Sequence, residues 1–183
     1  MTKAEVLKSK VCLVGEKGVG KTSLIRRFVL DAFDDQYIRT LGAKVSKKAL
    51  SVALPDRGVR LDVSMAIWDV IGHVGFRDLL SDAFFLGAQG ILAVVDLTRR
   101  ETLPAVAEWV RTVEQVAGKV PIVLVGNKSD LAGEAQCGER EVAAVARAID
   151  AAHLITSAKT GENVEQAFSL LGTAVATLHP GRP

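Results

Sequence analysis

Residues Gly15–Thr22 read GEKGVGKT, a full match to G-x-x-x-x-G-K-[ST], and no other stretch narrows the fold of this chain as far. The apolar run Val11-Cys12-Leu13-Val14 before it is that of a buried parallel strand. Leu24, Ile25, Phe28 and Val29 after it recur at helical spacing. A strand, a glycine-rich loop and a helix in that order form a phosphate-holding unit of layered α/β folds. Gly15, Gly18 and Gly20 free the backbone for turns that bring its N–H groups close to phosphate oxygens. The helix opening at Lys21 turns its positive dipole end to the same anion. Lys21 adds a point charge for the outer phosphates, and the Thr22 hydroxyl suits Mg²⁺. Lys17, Val19 and Ser23 belong to the same nucleotide-contacting stretch. The ligand implied is a nucleoside phosphate.

Further apolar runs at Ala66–Trp68, Ile91–Val95, Ile122–Val125 and His153–Thr156 read as strands. Between the later ones lie helical patterns. Leu103, Val106, Trp109, Val110, Val113 and Val116 share one face, and Val142, Val145, Ala146 and Ile149 mark another. Val164, Ala167, Phe168, Leu171, Val175 and Leu178 mark a last helix, with Asn163 as its N-cap and Gln166 three positions on. Such alternation predicts a doubly wound, mostly parallel sheet with right-handed crossovers. Lys44–Leu54 and Val59–Trp68, joined by Pro55-Asp56-Arg57-Gly58, read as a hairpin that supplies one antiparallel edge.

The chain has 183 residues without a repeat or linker, so a single domain over 1–183 is expected. A content of 49% hydrophobic and 24% charged residues is that of a globular protein. A net charge of +2 is too small to argue for nucleic acid as a partner. No apolar stretch is long enough to span a membrane, and no signal peptide opens the chain. Its two cysteines cannot make a disulfide framework. Cys12 falls in the first strand as a small core residue, and Cys137 falls in a polar loop. Reduced thiols and a cytoplasmic location are expected.

Ligands of such folds bind beyond the carboxyl ends of the strands. There the chain carries Asp69-Val70-Ile71-Gly72 after Trp68, Asn127-Lys128-Ser129-Asp130 after Gly126, and Ser157-Ala158-Lys159 after Thr156. A P-loop, DxxG, NKxD and SAK in that order resemble the Ras-like small GTPases over nearly the whole chain. Trp68-Asp69, Gly75-Phe76-Arg77 and Asn163-Val164-Glu165-Gln166-Ala167-Phe168 lean toward the Rab branch. The resemblance implies the P-loop NTPase fold of a G domain: a six-stranded α/β sheet, doubly wound and mostly parallel, with one antiparallel edge strand and helices on both faces. It also implies GTP or GDP with Mg²⁺ as the bound group. Guanine presents N1–H and an exocyclic amine side by side, and a carboxylate accepts from both. In the family that carboxylate is the one matching Asp130. Adenine lacks both donors and would leave Asp130 buried without a partner. By the same resemblance Asn127 fixes the loops, Lys128 and Lys159 cover the two faces of the base, the Ala158 amide meets the guanine oxygen beside Ser157, and Phe33 packs at the base edge.

Tyr37-Ile38-Arg39-Thr40-Leu41-Gly42 resembles the first switch segment of the family. Thr40 would reach Mg²⁺ and the γ-phosphate only in the triphosphate state, Thr22 would hold the metal in both states, and Asp69 would hold it through water. The Gly72 amide would contact the γ-phosphate, so hydrolysis would release both loops. Effector and regulatory proteins are expected to dock through Asp34–Gly42 and Gly72–Leu80, on a monomer. Two departures sit at the chemical centre. The family's water-orienting glutamine is here His73, followed by Val74-Gly75, which should make the loop more flexible. Lys17 stands where the family keeps a small residue. The catalytic group expected is therefore Lys21, Gly72 and His73, with slow hydrolysis. A nucleotide-loaded scaffold with negligible turnover is the alternative, and a P-loop kinase would leave Asn127–Asp130 and Ser157–Lys159 unexplained. Only His179-Pro180-Gly181-Arg182-Pro183 follow the last helix, with no cysteine for a prenyl group. A soluble relative of prokaryotic or archaeal type, or a chain cut before its tail, is expected, with Lys44, Lys47 and Lys48 as a solvated basic edge.

Overall fold

Residues without a polar break make the central strands, and the computed structural model describes them within residues 6–34 and 42–178. In chain order the elements are β1 (Val6–Val14), α1 (Lys21–Leu30), β2 (Ala43–Leu54), β3 (Val59–Val70), α2 (Val74–Phe85), β4 (Gly90–Asp96), α3 (Thr102–Ala117), β5 (Ile122–Asn127), α4 (Glu139–Ala148), β6 (Ala152–Ile155) and α5 (Val164–Leu178). Every residue of β4 and β5 is buried, as parallel strands covered on both faces must be. The six strands lie in the order β2-β3-β1-β4-β5-β6. All neighbouring pairs are parallel except β2 with β3, which runs antiparallel from Ala43 opposite Val70 to Leu54 opposite Val59. The hairpin closes through a 3-10 turn at Pro55–Arg57, with Gly58 at φ 63° and its N–H donating to the Pro55 carbonyl at 3.0 Å. This is the expected doubly wound sheet with one antiparallel edge.

The two faces bury separate cores. Val11, Leu13, Met65 and Ile67 meet Leu24 and Phe28 of α1 and Phe168, Leu171 and Val175 of α5. The Phe28 and Phe168 rings stack at 4.0 Å between centroids. Cys12, Val14, Ile91, Ala93 and Leu124 face Phe85 of α2, Val106 and Trp109 of α3 and Val142 of α4. Each such aliphatic or aromatic side chain contributes about 1.5–3 kcal/mol on leaving water. Among the described residues no helix is long and apolar enough to cross a membrane.

Four expectations change in the structure. The segment after Gly72 is the helix α2 rather than a loop, and the His73 ring Nδ1 accepts the Gly75 N–H at 3.2 Å and caps it. Lys48 is not part of a solvated strip. It shares the inner face of β2 with Leu50 and Leu54, donates to the Phe28 carbonyl, lies 4.2 Å from the Phe28 ring centroid and pairs with Glu165 at 3.7 Å. Cys137 does fall in the loop before α4, yet it is buried, its thiol donating to the Leu97 carbonyl at 3.5 Å. Asn163 does stand before α5, yet its side-chain amide reaches back to the Ile155 carbonyl at 2.8 Å, with its own backbone at φ 53°. It binds the end of β6 to the start of α5.

Candidate functional site

The carboxyl ends of β1, β3, β5 and β6 open on one cleft of about 320 Å³. Lys17, Gly18, Gly20, Lys21, Thr22, Ser23, Phe33, Gly72, His73, Asn127, Lys128, Asp130, Ala158 and Lys159 line it. Arg26 and Leu131, unforeseen in the sequence, line it as well, as do Asp34, Val70 and Ile71, which the sequence had not assigned to the nucleotide. Gly15, Val19, Asp69 and Ser157 stand behind this lining. Tyr37 and Thr40 lie outside the described residues.

The phosphate loop leaves β1 and turns into α1 at Gly20, whose φ of 106° is open to glycine and strained for other residues. A Cβ at Gly20 would also strike Asn127 Nδ2. Asn127 holds the loops around that contact. Its Nδ2 donates to the Val19 carbonyl at 3.0 Å, and its Oδ1 accepts from Thr156 Oγ1 and the Ala158 N–H, each at 3.2 Å. Asp130 accepts from Ser157 Oγ at 2.6 Å, and that hydroxyl in turn accepts the Thr160 N–H at 3.1 Å. From α1, Arg27 grips the same loop, donating to the Ala158 carbonyl at 2.9 Å and to the Lys159 carbonyl at 2.6 Å.

On the phosphate side, Lys21 is only 6% exposed, and its ammonium donates to the Gly15 carbonyl at 2.7 Å and the Glu16 carbonyl at 3.0 Å. Burial pushes its pKa down to about 8, with Asp69 and Glu16 opposing that shift and Arg99 adding to it. The group stays charged at neutral pH. Thr22 Oγ1 donates to Asp69 Oδ2 at 2.5 Å, with Asp69 3% exposed. These are hard oxygen donors on α1 and β3, and among the described residues no group of three or more His, Cys, Asp or Glu offers an all-protein cage. One carboxylate and one hydroxyl fit Mg²⁺, which keeps waters and shares phosphate oxygens, better than a cation that needs many protein ligands. Gly72 packs directly on the loop: a Cβ there would lie 2.7 Å from the Lys17 nitrogen and from the Glu16 carbonyl carbon. The Glu16 side chain accepts the Trp109 indole N–H at 3.0 Å, and the Arg77 guanidinium of α2 lies 5.5 Å from the Trp109 ring centroid.

Asp96, at the end of β4, is a buried acid bonded to Lys128 of the cleft that sequence reasoning missed, although an acid at a strand end is the signal that found Asp69. It is 1% exposed and binds Lys128 Nζ at 2.6 Å and Arg99 Nε at 3.0 Å through Oδ2. Its Oδ1 accepts the Thr98 N–H at 2.9 Å and the Thr98 hydroxyl at 2.7 Å. Burial alone would raise this carboxyl, but the hydrogen bonds from Lys128, Thr98 and Arg99 outweigh it and hold the pKa below 3.8. A carboxylate depressed in the folded state stabilises it fully above the unfolded value and loses that contribution as pH falls toward the folded value. Acid titration of unfolding free energy below about pH 4 should therefore be shallower in Asp96→Asn than in the unmodified protein. Equal slopes would show that Asp96 titrates alike in both states.

The family model described as Ras family matches residues 10–177. The human Ras-related protein Rab-36 is 40% identical over 165 residues, 88% of this chain and 59% of that protein. The Ras-related protein Rab-1A of Dictyostelium discoideum is 35% identical over 167 residues, 91% of this chain and 79% of that protein. The chain thus spans 59% of the length of the human relative.

Proposed function

This chain belongs to the Ras family, and from that premise we propose that it is a guanine-nucleotide switch that binds GTP and GDP with Mg²⁺ and hydrolyses GTP slowly. The observation that carries the reading is that Asp130, Asn127 and the Ala158 amide sit in one hydrogen-bonded frame beside a cleft whose other end holds Lys21 and Gly72. A base with two adjacent donors and a chain of phosphates match those two ends. Thr22 and Asp69 would hold the metal, joined in the triphosphate state by Thr40. Bound there, Mg²⁺ would neutralise the β- and γ-phosphate oxygens.

The reaction is attack of water on the γ-phosphorus: a new P–O bond forms, the bond to the β-phosphate oxygen breaks, and GDP leaves. Lys21 and the loop amides stabilise the charge that develops on the leaving and equatorial oxygens. The Gly72 amide would donate to the γ-phosphate. His73 would orient water, but its Nδ1 already accepts the Gly75 N–H as the cap of α2. The side chain that would orient water is thereby tied to the helix. His73→Gln should raise single-turnover hydrolysis on the order of tenfold, about 1.4 kcal/mol of barrier. A rate unchanged or lowered would show that His73 does not limit the step.

Nucleotide extracted from the purified protein, together with multiple-turnover phosphate release, tests the whole reading. Bound GDP or GTP with measurable release supports it. Bound guanine nucleotide without release favours the scaffold reading, which the engaged His73 ring also supports. ATP binding as tight as GTP binding would sink both.

A further inference from the structure

The Arg99 guanidinium does not itself line the cleft, yet it joins the cleft's two halves. Its Nη2 donates to the Lys17 carbonyl at 2.8 Å while its Nε holds Asp96 Oδ2 at 3.0 Å. The same carboxylate oxygen takes the Lys128 ammonium at 2.6 Å. All described peptides are trans, and a trans peptide points its C=O and its N–H in opposite directions. A Lys17 carbonyl drawn toward Arg99 therefore turns the N–H of Gly18 the other way, and Gly18 lines the cleft.

We propose that Arg99 is a positioning residue for the nucleotide. It aims the Gly18 N–H at a phosphate oxygen by holding the Lys17 carbonyl, and through Asp96 it couples that aim to Lys128 on the base side. The planar fork of arginine suits the task, because two of its nitrogens engage two acceptors at once on one rigid plane. A lysine ammonium is a point charge on a flexible stem and cannot reproduce both directions. Only the identity of the ligand rests on the guanine-nucleotide reading.

The test is displacement of fluorescently labelled GDP by excess GDP in Mg²⁺, with the Gly18 amide followed by proton–nitrogen NMR. Arg99→Ala should speed release about tenfold and move the Gly18 amide resonance toward that of an amide without an anionic acceptor. Arg99→Lys, which keeps the charge and guards against misfolding of the alanine variant, should release GDP at an intermediate rate with the same shift of Gly18. Arg100→Ala should do neither, since Arg100 binds Gln136 and Glu141 instead. Because Arg99 and Lys128 share one oxygen, the double variant Arg99→Ala/Lys128→Ala should speed release less than the product of the two single effects. A Gly18 resonance and release rate unmoved in Arg99→Ala would overturn the proposal, and multiplicative effects would overturn the coupling. Failure of the unmodified protein to bind labelled GDP would instead overturn the guanine-nucleotide reading.

Discussion

Asp130→Asn is expected to weaken GDP and GTP binding on the order of 10⁴-fold, the scale on which sites built to bond a ligand N–H reject a mismatch. In the structure Ser157 Oγ donates to one oxygen of Asp130 at 2.6 Å, which fixes the plane of the carboxylate. An asparagine can satisfy that hydroxyl only with its carbonyl oxygen, so its NH₂ group takes the place of the other oxygen. One of the two guanine donors would then face a donor. Xanthine offers an oxygen where guanine has its amine, so the variant should prefer xanthosine diphosphate over GDP. Competition between the two diphosphates against a labelled ligand measures both effects. A variant that keeps its preference for GDP would show that Asp130 does not read the base.

Gly72→Ala should lower single-turnover GTP hydrolysis about 10²–10³-fold, the cost of removing one preorganised donor from a developing charge. The added Cβ would lie 2.6 Å from Lys21 Nζ and 2.7 Å from backbone atoms of Glu16 and Lys17. The lysine tip can move, but the backbone of the phosphate loop cannot without losing its own geometry. The chain at residue 72 must retreat instead, carrying its amide out of reach of the γ-phosphate. The base and the inner phosphates do not depend on that amide, so GDP affinity should fall far less than the hydrolysis rate. Measured together, the two quantities separate a displaced amide from a collapsed site. Full hydrolysis in Gly72→Ala would remove Gly72 from the catalytic group.

The parts of the site legible in the sequence were those whose chemistry is local. GEKGVGKT needs its glycines within a few residues of Lys21, and the motifs at Asp69, Asn127 and Ser157 each lie at the carboxyl end of a strand, so their order along the chain reports their convergence in space. The sheet followed from uninterrupted apolar runs and from a turn with glycine at its left-handed position. What stayed hidden depends on contacts between distant segments. Arg99 lies 82 residues from the Lys17 carbonyl that it holds. The burial of Lys48 against Phe28 reverses what a lysine on an edge strand ordinarily signals. The helix α2 escaped for a different reason. It starts on a histidine, an uncommon cap, and leaves Val74 and Leu79 exposed, which blurs the amphipathic pattern.

The anchoring of Lys48 gives the edge strand a mechanical consequence. The lysine ties β2 to Phe28 in the last turn of α1 and to Glu165 at the start of α5. The opposite end of α1 carries Lys21 and Thr22, and a helix of its 10 residues is a rod about 15 Å long. Lys48 thus braces the last turn of a rod whose first turn, with Lys21 and Thr22, lines the cleft.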